Sequence, residues 1–226
     1  MKILHLIAQK PILTGSGIYL SSLIEEAAKK GYQQSVIIGI GNKEKYSFPK
    51  GVKVFPVRFQ TRELPFPVVG MSPIMPYPST RYCDMDENMI SQWKNAFAKQ
   101  LREAIKTMQP DIILSQHLWL LSVFTKDMFP DIPLIAITHG TGLRQLQSAQ
   151  EIADYVKQRC NKIDLVLSLT HQQKELIHSR YNYPLEKIVV NGSAYNPNIF
   201  YLNRRIHLDT VKLVYAGKLC QTKGVI

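Results

Sequence analysis

The sequence predicts an α/β fold, a Rossmann-like parallel sheet with helices on both faces. Short apolar runs alternate with segments of helical period along most of the 226 residues, the pattern of strands joined by crossover helices. A composition of 45% hydrophobic and 20% charged residues is that of an ordinary globular protein with one sizeable core. Between the first two apolar runs, Leu20, Leu23, Ile24, Ala27 and Ala28 recur at helical spacing, and Lys29-Lys30-Gly31 supplies a cationic end and a glycine cap.

Strands are expected near 2–8, 34–40, 52–57, 111–115, 133–138, 164–168 and 186–190. Trp93, Phe97, Leu101 and Ile105 form a second helical stripe. Lys99, Arg102 and Lys106 lie on another face of that helix, and Pro110 stops it before Asp111-Ile112-Ile113-Leu114-Ser115. A membrane-surface helix has the same pattern, but a strand follows at once, so a core helix with a solvated basic face is the reading preferred. Thr170-His171-Gln172-Gln173 has capping-box spacing, which starts a helix that points Leu176 and Ile177 inward. Residues 60–88 break the rhythm, with Pro65, Pro67, Pro73, Pro76 and Pro78 around Gly70, Met71 and Tyr77. A segment this long is either an ordered lid or acceptor-binding loop, or a structural excursion. No internal repeat is present.

Twenty-eight Lys and Arg against 17 Asp and Glu leave a net charge of +11, which suits phosphorylated small molecules, anionic lipid surfaces or nucleic acid. Nucleic acid is the least supported, since the chain has no recognition-helix motif, no aromatic stacking signature and no dense basic tract. Cys83, Cys160 and Cys220 are widely separated without Cys-x-x-Cys or Cys/His spacing, so neither a disulfide framework nor a zinc site is indicated. A cytoplasmic protein is expected. The first residues carry too short an apolar run for a signal peptide, and no stretch approaches the about 18 apolar residues of a membrane span, so any membrane contact is expected to be peripheral.

Thr14-Gly15-Ser16-Gly17-Ile18 lies between the first strand and the first helix, where open α/β sheets bind ligands. Two glycines there let backbone approach a ligand, and the helix start favours an anion; a tight turn that merely needs glycine is the alternative. The segment is not a dinucleotide fingerprint, because Leu20 stands where the third glycine belongs and no acidic residue ends the second strand. No Gly-Lys-Ser/Thr triplet supports a P-loop either. His139 follows Leu134-Ile135-Ala136-Ile137-Thr138 and precedes Gly140-Thr141-Gly142, and His117 holds the corresponding place after the preceding strand. His5 reads as structural, and His171, His178 and His207 show no ligand spacing. Asn191-Gly192 reads as a turn leading out of the first domain. Near the end, Val211-Lys212-Leu213-Val214-Tyr215-Ala216 reads as a strand running into Gly217-Lys218 and Lys223-Gly224, where two ammonium groups can meet one diphosphate.

In this order, the glycine loop, Gln109-Pro110-Asp111-Ile112-Ile113 leading to His117, Thr138-His139-Gly140, Val190-Asn191-Gly192 and Tyr215-Ala216-Gly217-Lys218 with Lys223-Gly224 resemble the family-four glycosyltransferases of the GT-B fold. The resemblance covers nearly the whole chain. It implies a retaining transferase that moves a sugar from a nucleotide diphosphate donor to an acceptor hydroxyl, in a cleft between two Rossmann-like domains. The nucleotide sugar is then a substrate, and no cofactor or metal is required.

On this resemblance, 1–195 is the acceptor-side domain, 196–210 the linker, and 211–226 the first strand and turn of a truncated donor-binding domain, whose glutamate pair would lie beyond Ile226. A chain lacking that domain is expected to be inactive alone. His139 takes the part of the catalytic histidine near the transferred sugar. Gly15 and Gly17 approach the donor phosphates with Lys218 and Lys223, and fixed cations there stabilise the departing diphosphate. Lys218 replaces the family's usual arginine, Ala194 stands where an acidic residue is common, and Ser16 separates the two glycines. Arg81 and Tyr82, with His117, are the candidates for acceptor contact. A lipid-linked or phosphorylated acceptor suits the positive charge, and a soluble sugar or protein acceptor stays open. The alternatives are a non-catalytic anion or membrane-surface binding module and another sugar-nucleotide enzyme such as an epimerase.

Overall fold

The computed structural model describes residues 1–201, 213–217, 219 and 224. Met1–Gly192 form one compact unit and Ser193–Ile226 a second, small one. In the first unit all seven expected strands form: β1 (Lys2–Ile7), β2 (Gln33–Gly41), β3 (Lys53–Phe59), β6 (Ile112–Gln116), β7 (Leu134–Ile137), β8 (Leu165–Ser168) and β9 (Ile188–Val190). They make one wholly parallel sheet in the order β3-β2-β1-β6-β7-β8-β9. The chain builds outward from β1 to β3, then crosses back and builds the other way from β6. The reversal leaves a crevice at the carboxyl ends of β1 and β6, the position where open α/β sheets take ligands.

Alternation along the strands divides the core between two faces. Leu4, Leu6, Ile37, Phe55, Val57, Ile113, Ala136 and Val166 pack in the larger cluster with α2 (Glu87–Met108), α3 (Leu120–Met128) and α5 (Gln150–Arg159). Trp93, Phe97 and Leu101 are the fully buried stripe of α2, as their spacing predicts, and Asp86 caps that helix by accepting from Met89 N–H at 2.7 Å. On the opposite face Ile7, Val36, Ile38 and Ile40 meet Leu20 and Ile24 of α1 (Gly15–Lys29). Beyond β1 this second face is less covered: Ile112, Leu114, Ile135, Leu165 and Leu167 are half-buried and Val189 is exposed.

The proline-rich stretch is an ordered excursion. Leu64, Phe66, Val68, Met71 and Tyr77 are buried, and two short strands, β4 (Val69–Gly70) and β5 (Thr80–Arg81), pair in parallel. Two helices not located from the sequence, α4 (Thr141–Ser148) and α5, fill the connection from β7 to β8. In α6 (His171–Tyr181), Thr170 caps as expected by accepting from Gln173 N–H at 3.0 Å. Ile177 is buried, whereas Leu176 faces outward, because an adjacent position on a helix is rotated by about 100°. Of the strand expected over 211–216, Val211 and Lys212 lie outside the described residues, and Leu213–Ala216 are exposed and form no strand among the described residues. A single strand has no ladder partner to hold it extended.

The start of α1 depends on one close approach. A Cβ on Gly17 would lie 2.5 Å from the Pro11 carbonyl carbon, whereas one on Gly15 would meet nothing within 4 Å. Gly17→Ala is therefore expected to destabilise the protein by about 1–3 kcal/mol through overpacking, and Gly15→Ala to be neutral or mildly stabilising. Urea unfolding of the two variants checks the contrast.

Candidate functional site

Three loops meet at the crevice: the one after β1, the one after β6 and the one after β7. After β1, Gln9 is buried, and its amide donates to Thr14 Oγ1 at 2.9 Å and to Ser16 Oγ at 2.8 Å. Thr14 Oγ1 in turn accepts from Gly17 N–H at 3.1 Å. The first turn of α1 is thus fastened to the end of β1. Lys10, also buried, pairs with Glu44 and lies 4.6 Å above the Tyr77 ring, which ties the proline-rich excursion to the same loop.

The loop after β6 turns through His117 at φ 73°, a left-handed conformation unusual for a residue with a side chain. Ser122 holds it there, donating to the His117 carbonyl at 2.5 Å, while His117 N–H reaches Ile137 O at 2.8 Å. After β7, Gly140 supplies the second left-handed turn at φ 77°. Gly142 lets α4 pack closely, since a Cβ there would stand 2.8 Å from Leu118 O and 2.9 Å from the Tyr181 hydroxyl.

His139 stands between these loops. Its Nε2 is 2.7 Å from Gln116 Oε1, and its ring lies edge-on to Tyr19 of α1 at 5.4 Å and to His117 at 5.1 Å. Tyr19 is linked in turn to Asn191 after β9, at 3.5 Å. His117 Nδ1 is 3.0 Å from Thr141 Oγ1. Burial pushes the His139 pKa down to about 4, and burial followed by the neighbouring His139 pushes His117 well below the usual histidine range, so both rings are neutral near pH 7. A small recess of about 10 Å³, bounded by His139, Gly140, Gly142 and Tyr181, lies beside the pair. The arrangement offers a ligand neutral hydrogen-bonding groups rather than charge.

The sequence-predicted residues divide clearly. His139 and Gly15 reach the crevice, Gly15 at open surface. Gly17 is buried with its N–H taken by Thr14, so its part is close packing. His117 is 4% exposed and sits behind His139, so it supports the site rather than facing an acceptor. Tyr82 is 2% exposed and stacks edge-on against Trp119 at 5.9 Å, which makes it a core residue. Arg81 is exposed and held in a two-pronged pair with Asp84 at 2.7 Å. Lys218 and Lys223 lie outside the described residues. Gln9, Ser16, Tyr19, Gln116 and Thr141 were not singled out from the sequence. The available signal was position: Gln9 and Gln116 follow or end strands that flank the reversal.

Among the described residues no cluster of His, Cys, Asp or Glu could hold a metal ion, and no helix is long and apolar enough to cross a membrane. The buried histidines have a consequence for stability. His5, in β1, is lowered to about 4 by burial, against which its bond to Gln34 acts only partly. An unfolded imidazole takes up its proton near pH 6.5, while His5 and His139 in the folded state hold off until about 4. The unfolded state therefore binds more protons in that window, and stability falls as pH drops through it. Urea unfolding between pH 7 and 4.5 should show this loss, and His139→Asn should make the slope shallower.

Comparison with known proteins extends these observations. The solved structures most similar to the chain include a sucrose-phosphate synthase from Thermosynechococcus elongatus, with TM-score 0.61 and 13% identity, covering 88% of this chain and 50% of the synthase. The lipopolysaccharide outer core galactosyltransferase WaaB has TM-score 0.55 and 13% identity, covering 86% and 46%. An Anabaena protein, HepE in complex with UDP and glucose, has TM-score 0.54 and 15% identity, covering 88% and 46%. The chain thus spans about half the length of these proteins, and at such identities the likeness is one of fold, the Rossmann-like half of GT-B. No curated protein matches the sequence. The family model for Glycosyltransferase Family 4 matches residues 13–197, which takes in the loop after β1, both histidines and every strand from β2 to β9, and the chain belongs to that family.

Proposed function

We propose that this chain supplies the acceptor-side lobe of a retaining glycosyltransferase that moves a sugar from a nucleotide diphosphate donor to an acceptor hydroxyl. The observation that carries the reading is His139, neutral and half-buried where three loops meet at the sheet's reversal. Family membership supports sugar transfer, and the UDP bound to HepE supports a nucleotide donor.

In the transfer the bond from the anomeric carbon to the diphosphate oxygen breaks and a bond to the acceptor oxygen forms. The acceptor proton needs a base. His139, with a pKa about 4 and one nitrogen already engaged by Gln116, is poorly matched to that task near pH 7. The departing diphosphate takes the proton instead, and His139 acts as a hydrogen-bonding group to the transferred sugar. Gly15, at the open start of α1, stands toward the donor phosphates. Lys218 and Lys223 are assigned to neutralising the diphosphate, a role that needs the donor-binding lobe. The acceptor is of lipid-linked or phosphorylated type, in keeping with the +11 net charge. Arg81 is the candidate contact for it, and Tyr82 is not.

The test is a panel of nucleotide sugars offered to this chain alone and to a polypeptide that also carries a donor-binding lobe. Transfer is expected only from the second, with the anomeric configuration retained. His139→Ala in that protein should lower kcat/KM by about 10²-fold, the scale of one lost hydrogen bond to the reacting group, while Tyr82→Phe leaves it unchanged. A two-lobed protein that transfers no sugar, or that yields an epimerised nucleotide sugar as its product, overturns the reading.

A further inference from the structure

Gln116 is the last residue of β6 and 2% exposed, and its side chain is spent on His139 rather than on the backbone around it. Its carbonyl Oε1 lies 2.7 Å from His139 Nε2 and its amide Nε2 has no partner in the protein. A carbonyl oxygen can only accept, so the proton of the neutral imidazole belongs on Nε2. That leaves Nδ1 as the ring's only remaining hydrogen-bonding atom, and among the described residues it carries no hydrogen bond. The ring cannot rotate freely to exchange the two nitrogens, because Tyr19 on one side and His117 on the other pack edge-on against it.

We propose that Gln116 is a positioning residue for sugar transfer, fixing His139 as the Nε2–H tautomer so that its Nδ1 lone pair accepts a hydrogen bond from a hydroxyl of the transferred sugar. This rests on the reading given under Proposed function, and it adds to it a direction: His139 recognises a donor group on the sugar, not an acceptor. Such second partners of a histidine set its tautomer and orientation in many sites, and losing one typically costs about 10–100-fold at metal centres, the nearest measured analogy. Gln116 also couples the ends of two adjacent strands, β6 and β7, at the point where the sugar would lie.

The experiment reads the tautomer directly and needs neither donor nor activity. Nitrogen-15 histidine spectra of the chain at pH 7, with the His139 signals assigned by their loss in His139→Asn, should show a protonated Nε2 and an unprotonated Nδ1. Gln116→Met, of similar shape without the acceptor, should release His139 into a mixture of both tautomers. Gln116→Glu places a carboxylate against the ring, with Tyr19 and His117 the other ionisable groups facing it, and should raise the pH at which His139 takes its second proton well above about 4. A wild-type His139 protonated on Nδ1, or a Gln116→Met spectrum identical to wild type at His139, overturns the proposal. In a two-lobed protein that transfers sugar, Gln116→Met should lower kcat about 10–100-fold with little change in KM, and an unchanged kcat likewise overturns it. Absence of any transfer counts against the functional reading alone, since the spectra still decide the tautomer.

Discussion

The structure depends on the two-sided pairing of β1. Lys2 to Ile7 bond in parallel to β2 on one side, and Ile3 to Leu6 bond to β6 on the other. Because the chain continues from β1 toward β2 and returns only later to β6, the loops leaving β1 and β6 diverge, and the crevice between them follows from topology rather than from any particular side chain. The register brings Leu6 opposite Ser115, so Gln9 and His117 emerge at similar height above the sheet. Gly39 of β2 completes the arrangement. A Cβ there would run into the Ala8 carbonyl, so the loop after β1 can lie against β2 only because that position is glycine.

What this frame holds is a set of uncharged polar side chains in a largely dry place. Desolvation disfavours an imidazolium, so the histidine pair is kept neutral by its position beneath the loops and by mutual proximity. Neutral groups of fixed orientation suit a site where charge develops on a departing group: they do not compete for the counter-charge, and they need no reorganisation during the reaction. The net charge of +11 lies largely elsewhere, on exposed lysines and arginines. Lys10 is an exception, and it is neutralised by Glu44 and covered by Tyr77, which makes it part of the scaffold rather than an anion site.

Much of the fold was legible in the sequence because the strands of a parallel sheet covered by helices are short apolar runs and its longest helices carry a clear period. Trp93, Phe97 and Leu101 announced α2, and Thr170 announced α6. The short helices α4 and α5 were not found, since Thr141–Arg159 carries few apolar positions and its boundary falls at Ala149, without a capping side chain. At the site, His139 was legible through its place between an apolar strand and Gly140. Tyr82 was misjudged because an aromatic in a proline-rich segment gives no sign of which way it faces, and here it joins the core against Trp119. Gln116 and Gln9 left no mark in the sequence. A glutamine is ordinarily a surface residue, and only the tertiary structure shows these two buried and pointed at the groups they orient.

The most direct measurement is a crystal structure of the chain joined to a donor-binding lobe, with an intact nucleotide sugar bound. The account predicts the sugar ring in the crevice above β1, β6 and β7, with a hydroxyl within about 3 Å of His139 Nδ1 and the diphosphate toward the start of α1. A sugar seated away from that crevice, with His139 covered by protein and making no contact to it, would contradict the account.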